Sequence, residues 1–245
     1  MHGKIVESGA AALLFAAIFL FGGHVHPLRA VARDDRSLVS FAAGASVAYV
    51  FVYAIPELHD ARRIFATSVS ISLRYEGMAI FLIALVGFLV FYGLDHFRAQ
   101  LRRRPTAVGQ DDLAYRLHIG GFAVYVWLMA YLLVNSLDET PGSTALYTVA
   151  IAGHFLALDH SLLNEHRAAY ERTGRFTLAG MSVLGWGVGL LFALPRYGLA
   201  LLVAFISGAI IMNSTIMELP SEKDGRFLAF MAGGVVYGLI LLPLG

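Results

Sequence analysis

Between residues 154 and 166 the chain reads His154-Phe-Leu-Ala-Leu-Asp159-His160-Ser-Leu-Leu-Asn164-Glu165-His166. Imidazole nitrogens and carboxylate oxygens together suit a borderline divalent ion, zinc first and iron or manganese less readily. Helical geometry limits how these groups cooperate. His160 and Asn164 are four apart and share a face, while Asp159 and His166 share another. His154 lies about 140° around the axis from Asp159 at 100° per residue. His154, Asp159 and His160 therefore meet one ion only if it bridges helices or if the helix is distorted. They are the expected metal ligands. Farther along, Asn213-Ser214-Thr215 and Glu218 fall in a second apolar segment, with Asn213 at the expected depth of His160. Asn213, Glu218, Glu57 and Asn164 complete the candidate set as pathway or supporting residues. The competing interpretation is a network of hydrogen bonds that ties helices together, or an Asp159 that orients a histidine of a neighbouring helix. Glu165, His166 and Arg167 fall near or beyond the apolar boundary, where charge needs no function. Tyr125, Trp127 and Tyr131 read as packing residues, and His24 and His26 as flanking an interface.

The elements that must position these groups follow from composition. The chain has 245 residues, of which 58% are hydrophobic and 14% charged, and its mean hydropathy is +0.69. Soluble domains carry about 25% charged residues, so this chain cannot coat a water-soluble globule. A net charge of +1 leaves no electrostatic footprint for nucleic acid. With no cysteine there is no disulfide, thiolate metal site or cysteine nucleophile. Uncharged runs cover Ser8–Leu28, Ser37–Pro56, Gly77–Leu94, Ile119–Leu137, Thr140–Leu158, Phe176–Pro195, Tyr197–Met217 and Phe227–Gly245. A bilayer core of about 30 Å needs about 20 such residues. The expectation is an all-α membrane protein, a single polytopic domain over 1–245. Its eight spans lie near 8–26, 37–57, 76–97, 117–137, 144–166, 175–195, 197–219 and 226–244, with a loop at 98–116. Ser8–Gly23 reads as a retained helix, because His24-Val-His26-Pro27 offers no small-residue cleavage site.

Parity then sets orientation. One side collects Lys4, Arg62, Arg63, Arg74 and Arg196, and the other thirteen basic residues of the 18 in the chain. Cytoplasmic loops gather Lys and Arg. Both termini are therefore expected outside a bacterial-type inner membrane, with loop 98–116 in the cytoplasm.

Two segments share a pattern. Phe41-x-x-Gly44 is followed by Pro56 at the same interval that separates Phe205-x-x-Gly208 from Pro220, and acidic residues flank both prolines. The two helices would run in opposite directions. Helices one to three then form an inverted copy of helices six to eight, with four and five inserted, as in many secondary transporters.

This organisation resembles the ZIP family of divalent metal transporters. The likeness rests on the eight-helix layout and on Phe41-Ala-Ala-Gly44…Ile55-Pro56-Glu57 and Ile206-Ser-Gly208…Glu218-Leu-Pro220. It implies an inverted 3+2+3 bundle, external termini and a bound divalent cation, zinc foremost. The family's helix-four and helix-five metal motifs are largely missing. The run Ile119–Leu137 has neither histidine nor carboxylate, and Phe155 and Leu158 stand where the helix-five motif has acids. The resemblance therefore implies one rearranged site. The expected function is a divalent cation carrier or metal-binding membrane protein, not an enzyme. Its partners would be the lipid bilayer and a small cation, without nucleic acid, and a homodimer is compatible with this. The alternatives are a non-transporting scaffold of transporter fold and, ranked lower, a membrane-embedded metal-dependent hydrolase.

Overall fold

The computed structural model describes residues 2–22, 35–68, 76–102, 110–135, 143–217 and 225–242. Among these residues all regular structure is helical. Helix α1 spans His2–Phe21. Helix α2, Asp35–Tyr49, runs through a π-turn at Val50–Ala54 into α3, Ile55–Ser68. Next come α4, Glu76–Arg102, and α5, Gln110–Leu132. Helix α6, Ser143–Ala169, passes through a second π-turn at Tyr170–Gly174 into α7, Arg175–Leu191. Helix α8, Arg196–Met212, ends in a third π-turn, Asn213–Met217, and α9 covers Phe227–Leu241.

Among the described residues, four stretches are long and apolar enough to cross a membrane: Ser40–Ser68, Gly77–Leu101, Leu113–Leu132 and Arg196–Ile216. Ile5–Phe21 and Phe227–Leu241 are apolar but shorter. The protein is thus a helical membrane protein, and four helices qualify as spans by length and composition among the described residues. The second half of helix α6 carries Asp159, His160, Glu165, His166 and Arg167. Helix α4 turns Leu82, Leu85, Leu89 and Val90 outward, and α9 does the same with Leu228 and Leu239. In water such faces would be liabilities; against lipid tails they match the solvent.

Lipid supplies no hydrophobic drive between helices, so close packing relies on small residues that let backbones approach. Two reciprocal glycine pairs do this. Gly44 on α2 lies against the Phe230 carbonyl of α9, and Gly233 on α9 lies against the Phe41 carbonyl. Gly208 on α8 lies against the Ala84 carbonyl of α4, and Gly87 on α4 against the Phe205 carbonyl. A Cβ fits at none of the four. Each Phe-x-x-Gly segment therefore makes the same kind of contact with its own partner helix.

Directions follow from which ends meet. Asp35–Tyr49 touches the π-turn Asn213–Met217, whereas Ile55–Ser68 lies on Arg196–Met212, so the α2–α3 rod and α8 run antiparallel. Both rods carry a π-turn shortly after their glycine, at Val50–Ala54 and at Asn213–Met217. The first precedes Pro56. Proline removes a backbone donor and crowds the preceding turn, and a widened turn accommodates that lost bond. Pro220 lies outside the described residues. Helix α1 packs on α6 and α7, and Trp186 Nε1 of α7 donates to Ser8 Oγ of α1 at 3.1 Å.

Candidate metal centre

The helices bring together a set of charged groups that lie far apart in sequence. Arg98 comes from the last turns of α4, His118 from α5, and Glu165 and His166 from α6. Arg98 and His118 are buried, and Glu165 and His166 are half-buried. His118, Glu165 and His166 each offer a ligand atom, and these atoms lie within 4.8 Å of one another. Two imidazoles and a carboxylate at that spacing can hold a metal ion.

Local backbone explains how adjacent residues both reach His118. On a regular helix consecutive side chains diverge by about 100°. At His166 the backbone leaves the helical region, with φ −132° and ψ 35°. The break falls at the residue whose imidazole lies 3.3 Å from His118 Nδ1. His118 contributes because α5 begins at Gln110, eight residues before it, which places the histidine within a formed helix.

Arg98 ties the cluster together. Arg98 Nη1 lies 2.5 Å from Glu165 Oε1 and 3.0 Å from His118 Nδ1, and Nη2 lies 2.6 Å from Asp95 Oδ1. Guanidinium nitrogens only donate, so His118 Nδ1 accepts and carries a lone pair. His166 Nε2 lies 3.3 Å from the same atom. Beside the cluster lies a cavity of about 20 Å³ lined by Asp95, His118, Asn213, Met212 and the rings of Phe91 and Phe122. That is room for about one water molecule.

The ligands expected from sequence lie elsewhere. His154 is buried, its Nε2 is 2.9 Å from the Tyr125 hydroxyl, and its ring stacks on Tyr49 with centroids 5.9 Å apart. Tyr125, read from sequence as packing, is thus a polar partner of His154. Asp159 is also buried and accepts from the Tyr170 hydroxyl at 2.5 Å. Burial, and then the neighbouring Asp159 carboxylate, push the Tyr170 hydroxyl far above the usual tyrosine range, so it stays a donor. Gly22, just past α1, abuts Asp159: a Cβ there would fall 2.6 Å from Oδ2. His160 is half-buried. His154 thus meets a tyrosine of α5, and Asp159 meets Tyr170.

Asn213 lies beside the charged cluster. It is buried, but its Nδ2 has no hydrogen-bond partner, so that nitrogen bonds to none of His154, Asp159 and His160; it lines the cavity with Asp95 and His118. Glu57 is half-buried in the first turn of α3. Glu218, the Asn164 side chain, His24 and His26 lie outside the described residues.

Sequence reasoning missed His118, Glu165 and His166 for one reason. It treated charge-free runs as the functional interior and set aside what fell at their ends. The run that opens at Ile119 begins one residue after His118. The available signal was the set of three ionisable groups, Asp95, His118 and Glu165, each at the same end of an apolar helix. Compared with protein-family models, curated proteins and solved structures, the chain has no match.

Proposed function

We propose that this chain is a membrane carrier or membrane-bound receptor for a divalent cation, zinc before iron or manganese, held by His118, Glu165 and His166. The observation that carries the reading is the convergence of those three ligand atoms within 4.8 Å from two different helices. Two imidazoles with one carboxylate leave a coordination position for water or a transiting partner, and this donor set favours zinc over magnesium or calcium.

The ZIP-like layout is part of the proposal. It is supported by the reciprocal glycine pairs Gly44/Gly233 and Gly208/Gly87, by antiparallel α2–α3 and α8, and by the matching π-turns. In that layout the chain has eight spans, both termini face outward, and the thirteen-to-five basic asymmetry puts the cluster at the cytoplasmic mouth of a bacterial-type inner membrane. The test is zinc stoichiometry of the purified protein by elemental analysis. Wild type should retain about one ion per chain, the number expected of a single three-ligand site. His118→Ala and His166→Ala should each lose it.

One observation favours a second reading. Arg98 already neutralises the carboxylates of Asp95 and Glu165, as a purely structural ion-pair network would require. If wild type retains none of zinc, iron or manganese, the protein is a scaffold of transporter fold and the cluster is interhelical glue.

A further inference from the structure

Any ion that binds at His118, Glu165 and His166 must contend with a cation already among them. Arg98 Nη1 reaches both His118 Nδ1 and Glu165 Oε1, at 3.0 and 2.5 Å. These two groups are also needed to ligate a metal. His118 Nδ1 has a single in-plane lone pair, so the guanidinium and a metal ion cannot both use it. Like charges at contact distance within a half-buried site would also repel. The arginine-bridged arrangement and one in which a metal ion sits on His118 Nδ1 are mutually exclusive.

We propose that Arg98 is a tethered counter-cation, which fills the ligand set when no ion is bound and is displaced toward Asp95 when a divalent ion enters. The inference deepens the metal reading above and rests on it. Asp95 supplies the place to go: it is three residues earlier on α4 and already accepts from Nη2 at 2.6 Å. Breaking the contacts to His118 and Glu165 therefore leaves Arg98 paired. In the ion-free state the same arginine spares the bundle two unpaired carboxylates, Asp95 and Glu165, which are costly where water is scarce. The residue type suits the task. Arginine is always charged and its planar fork spans separate acceptors, whereas a lysine ammonium is a compact point charge.

The device also sets selectivity. An ion enters only if it binds imidazole and carboxylate strongly enough to evict a guanidinium. Zinc meets that requirement; magnesium, which keeps its waters and prefers oxygen ligands, does not.

Calorimetric zinc titration of the full-length chain in detergent tests this, with wild type, Arg98→Gln, Arg98→Lys, His118→Ala and His166→Ala compared. Arg98→Gln should bind zinc at least about tenfold tighter than wild type, because no cation has to be displaced. Arg98→Lys should fall between them. An Arg98→Gln protein that keeps its helical circular dichroism but binds zinc no more tightly overturns the displacement. Should Arg98→Gln fail to fold, Arg98→Lys decides, and wild-type affinity there overturns it equally. The two readings fail differently. If His118→Ala and His166→Ala bind zinc as wild type does, the site itself is wrong. If they lose zinc while neither arginine variant tightens, the site stands and only the displacement falls.

Discussion

At the scale of single residues, the protein handles its buried polar groups by pairing them with other side chains. Asp159 meets Tyr170, His154 meets Tyr125, and Glu165 meets Arg98. Each pairing lowers the cost of an ionisable group at membrane depth. Tyr170→Phe removes a donor from a buried carboxylate, which should destabilise the fold by about 1–3 kcal/mol; thermal unfolding in detergent micelles measures it. Tyr125→Phe should cost less, because His154 keeps its ring contacts with Tyr49 and Phe155. A second prediction separates the two candidate sites. The double substitution Asp159→Asn with His160→Ala should lower the unfolding temperature but leave zinc binding within about twofold of wild type, less than one RT of binding free energy. Loss of zinc from a folded double variant would return the site to the residues suggested by sequence.

At the scale of elements, glycine contacts and broken turns decide which faces meet. Gly44, Gly87, Gly208 and Gly233 each occupy a point where a Cβ would collide with a backbone carbonyl, and backbone yields less than a side chain. Gly44→Ala and Gly208→Ala should therefore both be strongly destabilising, by about 1–3 kcal/mol, the range for overpacked sites. Similar losses in the two are the mark of an inverted repeat; a large effect at one and none at the other would argue that the pattern is accidental. By contrast Gly93, Gly120 and Gly180 have open space around them and should accept alanine without loss. Helix α5 links the two polar groups along one face. His118 packs on Phe122, with ring centroids 4.9 Å apart, and Phe122 on Tyr125 at 6.5 Å. Phe91 and Phe122 line the cavity beside the charged cluster, and both rings also contact Tyr125, the partner of His154.

At the scale of the whole molecule, the absence of cysteine makes topology directly measurable. Single cysteines placed at Gly3 or Leu242 should react with a membrane-impermeant thiol reagent added outside intact cells. One placed at Arg172 should react only after lysis. Labelling of Arg172→Cys from outside would invert the orientation and put the cluster at the outer mouth.

The parts legible from the amino-acid sequence were those set by local chemistry. Low charge content with long apolar runs requires helices in lipid, since each backbone donor must be satisfied within its own segment. The Phe-x-x-Gly spacing likewise marked the two helices whose glycines contact partner backbones. Angles within one helix were also computable from residue spacing. Which residues meet across helices was decided by tertiary structure alone. His118 reaches Glu165 over 47 positions, and Arg98 reaches it over 67. That meeting depends on where α5 starts and on the break in the backbone at His166. Neither follows from periodicity, because a 3.6-residue repeat fixes directions around one axis and carries no information about the rotation or depth of its neighbours.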